Sequence, residues 1–432
     1  MGIAADSFQT YLFRFANLII NFLIGVLTAR FLGPAGKGSL VLAFLVNNIY
    51  IYLFGNLGGA ITYRISRLNE PPRSILKTAI IYSMSVGFLT IIGIWLYTWF
   101  NPPFFPEYMW VIILNAPLAL LLTNFHGVFL GLNRVTAVNW YAFSPNLFWL
   151  LLLIPGFFYL KAGVTGTLIC WIIPQLLLLV WCFMATVEYW GSPDHGVFAK
   201  ELLREMLSFG WPLGLVNLIS FLNYRIVMFL LVHFLGTARL GLYAVAVSGA
   251  ETLWFTSTAV TTAIYARVGM AGKEQAADLT AKAVRHTFYL NLGLGILIWC
   301  AVELFLPVIY GEVYRPSLAP FRILLPGVLA YGLVNIFAAY FTNNLGKSRI
   351  PLLIALISTI INIGISLLLI PRVGMIGGAL ATTGSYLISL VIMGILFYQR
   401  TGLGFRHFYF TRLDWNDYRL VFFRLLKKIM IK

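Results

Sequence analysis

The sequence is poor in charge: only 10% of its 432 residues are Asp, Glu, Lys or Arg, against roughly a quarter in an ordinary soluble domain. With 60% of the residues apolar, this excludes a soluble globular protein. Cysteine is scarce too. Cys170, Cys182 and Cys300 all fall inside apolar runs, which excludes a disulfide framework or a thiolate metal site. Acidic residues number 14 against 30 Lys and Arg, and no His/Cys/Asp/Glu cluster at metal-ligand spacing occurs. Neither an enzyme nor a bound cofactor is therefore expected. Long polar stretches are missing as well: the longest, at 186–209, is too short to build a core of its own. Residues 1–9 lack the basic start and small-residue cleavage site of a signal peptide, so the first apolar run is expected to stay as a helix.

What is present is a series of apolar runs, each near the ~20 residues that cross a bilayer. Read against breakers, twelve spans are expected, at 10–32, 39–62, 77–99, 108–131, 137–160, 164–187, 210–235, 240–266, 284–306, 319–345, 350–370 and 376–399. The net charge of +16 would suggest nucleic acid in a soluble protein. In a polytopic one it belongs to cytoplasmic loops beside anionic lipid, so the expected partners include membrane lipids and no nucleic acid. With the N-terminus inside, the cytoplasmic side receives Arg64, Arg67, Arg73, Lys77, Arg134 and most other bases, and the outer side only seven. Both termini are thus expected in the cytoplasm.

An internal repeat organises the chain. Phe31-Leu32-Gly33 recurs as Phe234-Leu235-Gly236 at an offset of 203, which also maps Gly38 onto Gly241, Ala60-Ile61 onto Ala263-Ile264 and Arg64 onto Arg267. Leu151-Leu152-Leu153-Ile154-Pro155 recurs as Leu367-Leu368-Leu369-Ile370-Pro371 at an offset of 216, with Asn146 on Asn362. Six spans per half give two repeats of one orientation, related by an axis along the membrane normal. The expected divisions are an N-lobe at 1–197, a C-lobe at 198–400 and a basic tail at 401–432. Within that tail, apolar residues alternate with Arg419, Arg424, Lys427 and Lys428 from Asp414 onward, which suits an amphipathic helix on the cytoplasmic face. Pro117, Pro145, Pro174 and Pro326 lie inside spans, where each kinks its helix.

Ionisable groups inside a span are costly, and so are the first functional candidates. Arg225 and Glu251 lie on adjacent spans, ~15 and ~17 Å from the outer end at 1.5 Å per residue. They can form a structural ion pair, or Arg225 can receive an anionic group while Glu251 exchanges H+ or Na+. The repeat-equivalent positions hold Phe22 and Asn48, so a charged site is asymmetric. Arg14, in the first third of span one, either snorkels to the interface or faces a cavity. Arg64 and Arg267 end spans two and eight, where they anchor the inner side or ring its mouth with charge-assisted donors. His126, His233 and Glu303 are isolated polar residues, expected to be satisfied by hydrogen bonds. Lys37 lies in the turn at 33–38, for which the sequence suggests no role. Gly346-Lys347-Ser348 resembles the end of a P-loop, but Phe341 replaces its first Gly and no nucleotide domain surrounds it.

Several of these stretches resemble the polysaccharide-export flippases of the multidrug/oligosaccharidyl-lipid/polysaccharide (MOP) exporter superfamily, across residues 8–400. The resemblance rests on Thr28-Ala29-Arg30-Phe31-Leu32-Gly33-Pro34 with Gly38, and on Gly346-Lys347, Asn362-Ile363, Leu369-Ile370-Pro371, Gly374, Gly377-Gly378-Ala379 and Ala381-Thr382-Thr383, in that order. It implies an all-α, MATE-like fold of two six-helix lobes around a cationic cavity. It also implies alternating access, and transport of polyprenyl-pyrophosphate-linked oligosaccharide from the cytoplasmic to the outer leaflet of a bacterial or archaeal inner membrane. Arg14 and Arg225 are the positions that look equivalent to the pyrophosphate-binding arginines of such flippases. Asn48, Arg64 and Arg267 complete the expected binding set, Glu251 is the expected ion-coupling residue, and glycan polymerase or export machinery is an expected partner. A cation-coupled multidrug or metabolite exporter of the same fold is the alternative, and would rely on Glu251 rather than Arg225. A scaffold for glycan-assembly enzymes would need none of the three buried charges.

Overall fold

The structure, a computed structural model, describes residues 3–100, 108–191 and 200–409. The expected division at 197/198 and the amphipathic helix from Asp414 lie outside the described residues. The fold is all-α, as expected. Its helices are α1 (Ile3–Phe54), α2 (Leu57–Arg67), α3 (Pro72–Phe100), α4 (Met109–Leu114), α5 (Ala116–Gly131), α6 (Val135–Phe158), α7 (Val164–Ala185), α8 (Lys200–Ala250), α9 (Trp254–Met270), α10 (Lys273–Tyr310), α11 (Leu318–Ala339), α12 (Arg349–Val373) and α13 (Met375–Thr401). Among the described residues, nine helical runs are long and apolar enough to cross a membrane. Two of them hold a pair of spans each, and Ala116–Gly131 is a shorter apolar helix beside them. The expected series of twelve spans follows from this arrangement.

Several spans are less regular than their hydropathy suggests, among them span ten, which ends in a π turn at Tyr340–Asn344. Span two breaks at Gly55-Asn56, where the Asn56 carboxamide donates to the Tyr52 carbonyl freed by the break. Span four breaks at Asn115, two residues before Pro117, whose ring cannot continue the backbone ladder. Span eight contains a 3-10 turn at Glu251–Leu253. Hydropathy averages over such turns because they contain too few polar residues to lower it.

The repeat is written into the backbone. Within α1 the two spans meet at Gly33 (φ 65°, ψ −179°), and within α8 they meet at Gly236 (φ 79°, ψ 177°). That combination of angles is essentially restricted to glycine, and the two residues are a repeat-equivalent pair.

By packing, the chain divides into two compact units, Met1–Ala244 with Pro307–Tyr314, and Val245–Leu306 with Arg315–Lys432. In the first, the turns after Gly33 and Gly236 meet back to back. A Cβ on Gly38 would lie 1.8 Å from the Thr237 carbonyl oxygen, and one on Gly241 would lie 2.0 Å from that of Pro34. Only hydrogen fits on either side. Elsewhere in this unit, α8 approaches the broken span two through Gly210 and Gly214, the small-xxx-small spacing that lets membrane helices touch. The segment Pro307–Tyr314 closes the unit by reciprocal capping. Arg30 of α1 donates to the carbonyls of Val308 and Ile309 in the last turn of α10, and buried Tyr314 donates to the Ala29 carbonyl of α1 at 3.0 Å. The last carbonyls of a helix have no partners within it, and that end of the dipole favours a cation. The apolar interior of the unit centres on Leu57, Ile61, Ile75, Leu122, Phe125 and Phe129.

In the second unit, α11 is the central helix, buried along most of its length. Tyr331 packs against Tyr386 of α13 with ring centroids 4.4 Å apart. Near Pro326, Thr383 of α13 donates to the Ile323 carbonyl at 2.7 Å. Trp254 of α9 similarly donates to the Val328 carbonyl at 2.8 Å.

A methyl group added to Gly33 or Gly236 would meet no heavy atom within 4 Å, so replacing either tests the backbone alone. Gly33→Ala and Gly236→Ala are each expected to cost about 1–3 kcal/mol, seen as a lower thermal midpoint of the detergent-solubilised protein. Gly93→Ala, at an equally open position on regular helix, is expected to raise the midpoint or leave it unchanged.

Candidate functional site

The candidate site lies within the first unit, where three helices each contribute one face to a cavity of about 300 Å³. From α1 come Thr10, Phe13, Arg14 and Asn17, at the i, i+3, i+4, i+7 spacing of a single helix face. The end of α5 contributes His126 and Phe129, and α6 contributes Val138, Asn139, Ala142 and Phe143. Phe13 meets Phe143 and Trp140 edge to face at centroid distances of 5.2 and 5.4 Å, which fixes the register of α1 against α6.

Arg14 is the cation of this cavity. Among the described residues its guanidinium has no hydrogen-bond or ion-pair partner. Arg134 also lines the cavity, but its head is bound elsewhere. It donates to the Ala185 carbonyl (3.1 Å), the Tyr189 hydroxyl (2.9 Å) and the Glu188 carboxylate, and lies over the Tyr189 ring. Asn17 is held from two sides: its side-chain oxygen accepts from Asn146 at 2.9 Å and from Asn21 at 3.2 Å. Buried Asn139 donates to the Thr10 hydroxyl at 3.1 Å. His126 was expected to be satisfied by hydrogen bonds, yet among the described residues it makes none. Its ring rests on Tyr141, 4.9 Å between centroids. The expectation does hold for Glu303, which pairs with Arg322 at 2.8 Å.

The other expected site residues are distributed as follows. Asn48 of α1 donates to the Phe44 carbonyl at 2.8 Å, so it is engaged by its own helix. Arg64, at the end of α2, donates to Glu70 at 2.7 Å and to Glu205 at 2.8 Å, joining α2 to the start of α8. An incoming anion would compete there with two carboxylates. Arg225 lies on α8 in the first unit, and Glu251 opens the 3-10 turn in the second. Arg267 is exposed in the last turn of α9, with no side-chain partner among the described residues. The structure therefore gathers Arg14 with polar groups that sequence patterning did not single out for binding: Thr10, Asn17, His126 and Asn139. The signal available for the first two was their shared face with Arg14 on an apolar span. For His126 and Asn139 there was none, because their proximity is tertiary. A second cavity, of about 310 Å³ in the second unit, is lined by Leu253, Asn291, Ile296, Trp299, Leu325 and Leu329 and carries no charge.

With this geometry in place, known proteins provide a comparison. Residues 212–368 match the MatE family model. Among solved structures, the chain resembles an inward-facing multidrug resistance MATE family transporter of the MOP superfamily (TM-score 0.70, 15% identity, 89% of this chain and 94% of that one). It also resembles the lipid II flippase MurJ in an inward closed conformation (TM-score 0.75, 15% identity, 98% and 93%). The fold is that of the MATE transporters. A third similar structure is a MOP superfamily transporter from Pyrococcus furiosus, described as having a binding pocket of reversed polarity (TM-score 0.61, 15% identity, 91% and 94%). Among curated proteins, no sequence matches this chain. The resemblance drawn from the sequence thus fits at the level of the superfamily fold. The similar structures are described as transporters and a flippase.

The tether on Arg134 has a pH dependence of known sign. A hydrogen bond from Tyr189, and then pairing with Arg134, hold the Glu188 carboxyl below the usual carboxylate range. A depressed carboxylate stabilises the fold above its unfolded pKa and loses that contribution as pH falls through the lowered value. The thermal midpoint of Glu188→Gln is thus expected to lie below wild type by a constant amount at neutral pH. The difference is expected to start shrinking as pH falls below about 4.3, where an unperturbed glutamate protonates, and to vanish only below the lowered value of Glu188.

Proposed function

We propose that this chain is an alternating-access transporter that carries a polyprenyl-pyrophosphate-linked oligosaccharide from the cytoplasmic to the outer leaflet of the inner membrane, for assembly of a cell-surface polysaccharide. The observation that carries the reading is Arg14: a guanidinium without a protein partner among the described residues, lining a cavity of carboxamides, hydroxyl, imidazole and aromatic rings. An unpaired cation in an apolar span is costly unless a ligand or water meets it, and a phosphate oxygen meets a guanidinium with charge-assisted hydrogen bonds. With the termini in the cytoplasm, Arg14 and the adjoining ends of α5 and α6 lie toward the leaflet in which such a lipid would be loaded.

In this reading Arg14 and Arg225 share the pyrophosphate, with Asn48, Arg64 and Arg267 as further polar contacts. Arg64 contributes after release from Glu70 and Glu205. Glu251 exchanges H+ or Na+ on the return step. The polyprenyl tail stays in the bilayer, and the exported lipid passes to a polymerase or other export machinery. The likeness to MurJ, described as a lipid II flippase, supports a lipid-linked cargo. The likeness to multidrug transporters supports the fold equally for a cation-coupled exporter, which the unpartnered arginine disfavours electrostatically.

Binding of a polyprenyl-pyrophosphate glycan to the purified chain tests the proposal. Arg14→Gln and Arg225→Gln are each expected to weaken it about tenfold or more, a loss of ~1.4 kcal/mol. Unchanged affinity in both variants, with a cationic drug transported in a manner abolished by Glu251→Gln, would instead establish the exporter.

A further inference from the structure

We propose that the cavity beside Arg14 is a subsite for the sugar ring attached directly to the phosphate, so that one packed unit reads the first residue of the glycan. This rests on the lipid-linked cargo proposed above and assigns its recognition to residues outside the expected charged set.

The argument is one of donors and acceptors. A phosphate group only accepts hydrogen bonds at its ionised oxygens, so a site built for phosphate alone needs donors and positive charge. This cavity offers more than that. The Asn17 side-chain oxygen is occupied by Asn146 and Asn21, which leaves its amide nitrogen as a donor with no acceptor among the described residues. Asn139 is the opposite case: its amide donates to Thr10, and its oxygen is left as an acceptor with no donor among the described residues. His126, also without a hydrogen bond there, supplies one donor and one acceptor when neutral. A carbonyl oxygen and an unprotonated ring nitrogen would repel a phosphate oxygen. Both suit a hydroxyl, which donates and accepts at once.

The walls point the same way. Phe13 and Phe143 line the cavity in an edge-to-face pair. Aromatic faces carry a negative quadrupole that attracts polarised C–H groups, such as those on the less hydroxylated face of a pyranose. Size sets the limit. At about 300 Å³ the cavity lies at the small end of the ~300–1,000 Å³ typical of ligand pockets, which suits one ring and its phosphate and leaves the remaining glycan outside. One free cation among the described residues of the cavity, Arg14, matches one phosphate group, since Arg134 is tied to Glu188 and Tyr189.

The test compares three ligands on the full-length purified chain: polyprenyl pyrophosphate without sugar, the same lipid bearing a single hexose, and phosphatidylinositol as a bilayer lipid that also carries a hydroxylated ring on phosphate. Wild type is expected to bind the hexose form at least tenfold more tightly than the sugarless form. Asn17→Ser and His126→Phe are each expected to bring that ratio to within about twofold while leaving sugarless binding in place. Arg14→Gln is expected to weaken both forms and keep the ratio. His126→Phe removes no hydrogen bond among the described residues and keeps a ring against Tyr141, so it remains informative if Asn17→Ser does not fold. Equal wild-type affinity for the two polyprenyl lipids overturns the proposal, as does a ratio that survives both variants. Phosphatidylinositol bound as tightly as the hexose form would overturn the assignment to a lipid-linked sugar. No binding of either polyprenyl lipid would overturn the proposed function itself, which separates that failure from loss of sugar preference alone.

Discussion

In hydrocarbon there is no water to satisfy a backbone polar group, so every helix end, break and kink at membrane depth needs a partner from the protein. This constraint accounts for many of the polar contacts in the chain. Where span two breaks, Asn56 turns back to the Tyr52 carbonyl. Near Pro326, Thr383 reaches the Ile323 carbonyl from α13. Before the Gly33 break in α1 and at the end of α10, Arg30 and Tyr314 exchange hydrogen bonds across the chain. The same need favours glycine where backbones touch: at Gly38 and Gly241 the neighbouring carbonyls come so close that a methyl group would displace them.

Against that background the unpartnered polar groups become informative. Several basic side chains near span ends have partners: Arg30 in carbonyls, Arg64 in Glu70 and Glu205, Arg134 in Glu188 and Tyr189, Arg322 in Glu303 over Trp299. Even Lys37, whose turn had no readable role, extends its amine back along α1 to the Thr28 hydroxyl at 2.8 Å. Arg14, Asn17, Asn139 and His126 each keep an open donor or acceptor among the described residues, and they do so around one cavity. Open donors and acceptors gathered around one cavity are where a ligand can complete them.

The twelve spans and the repeat were legible because hydropathy and glycine placement are local properties. Phe31-Leu32-Gly33 and Phe234-Leu235-Gly236 marked the two turns in the sequence, and the same glycine-only backbone appears at both. Arg14 was legible as an ionisable group inside a span. The rest of its cavity was not, because Asn139 and His126 reach Arg14 only through the packing of α5 and α6 on α1, on the order of a hundred residues away along the chain. The breaks at Asn56 and Asn115 were hidden for a different reason: an interruption of one or two residues barely changes an average taken over a whole span. Arg64 was legible as a cation at a span end, but its carboxylate partners Glu70 and Glu205 could not be paired with it from sequence order.

In the proposed reading, the unit to which each expected residue belongs bears on how transport would be driven. A ligand shifts a conformational equilibrium only by the difference in its affinity for the two states. A pocket formed wholly within one rigid unit keeps its contacts in both states. It therefore supplies affinity and selectivity but little bias. Thr10, Arg14, Asn17, His126 and Asn139 all belong to the first unit, as does Arg225, whereas Glu251 and Arg267 belong to the second. If the first unit reads the proposed cargo, the driving difference must come from groups outside that pocket. In the proposed reading recognition and drive are then separable, and substitutions in the cavity should alter what is carried without altering which ion couples to the return step.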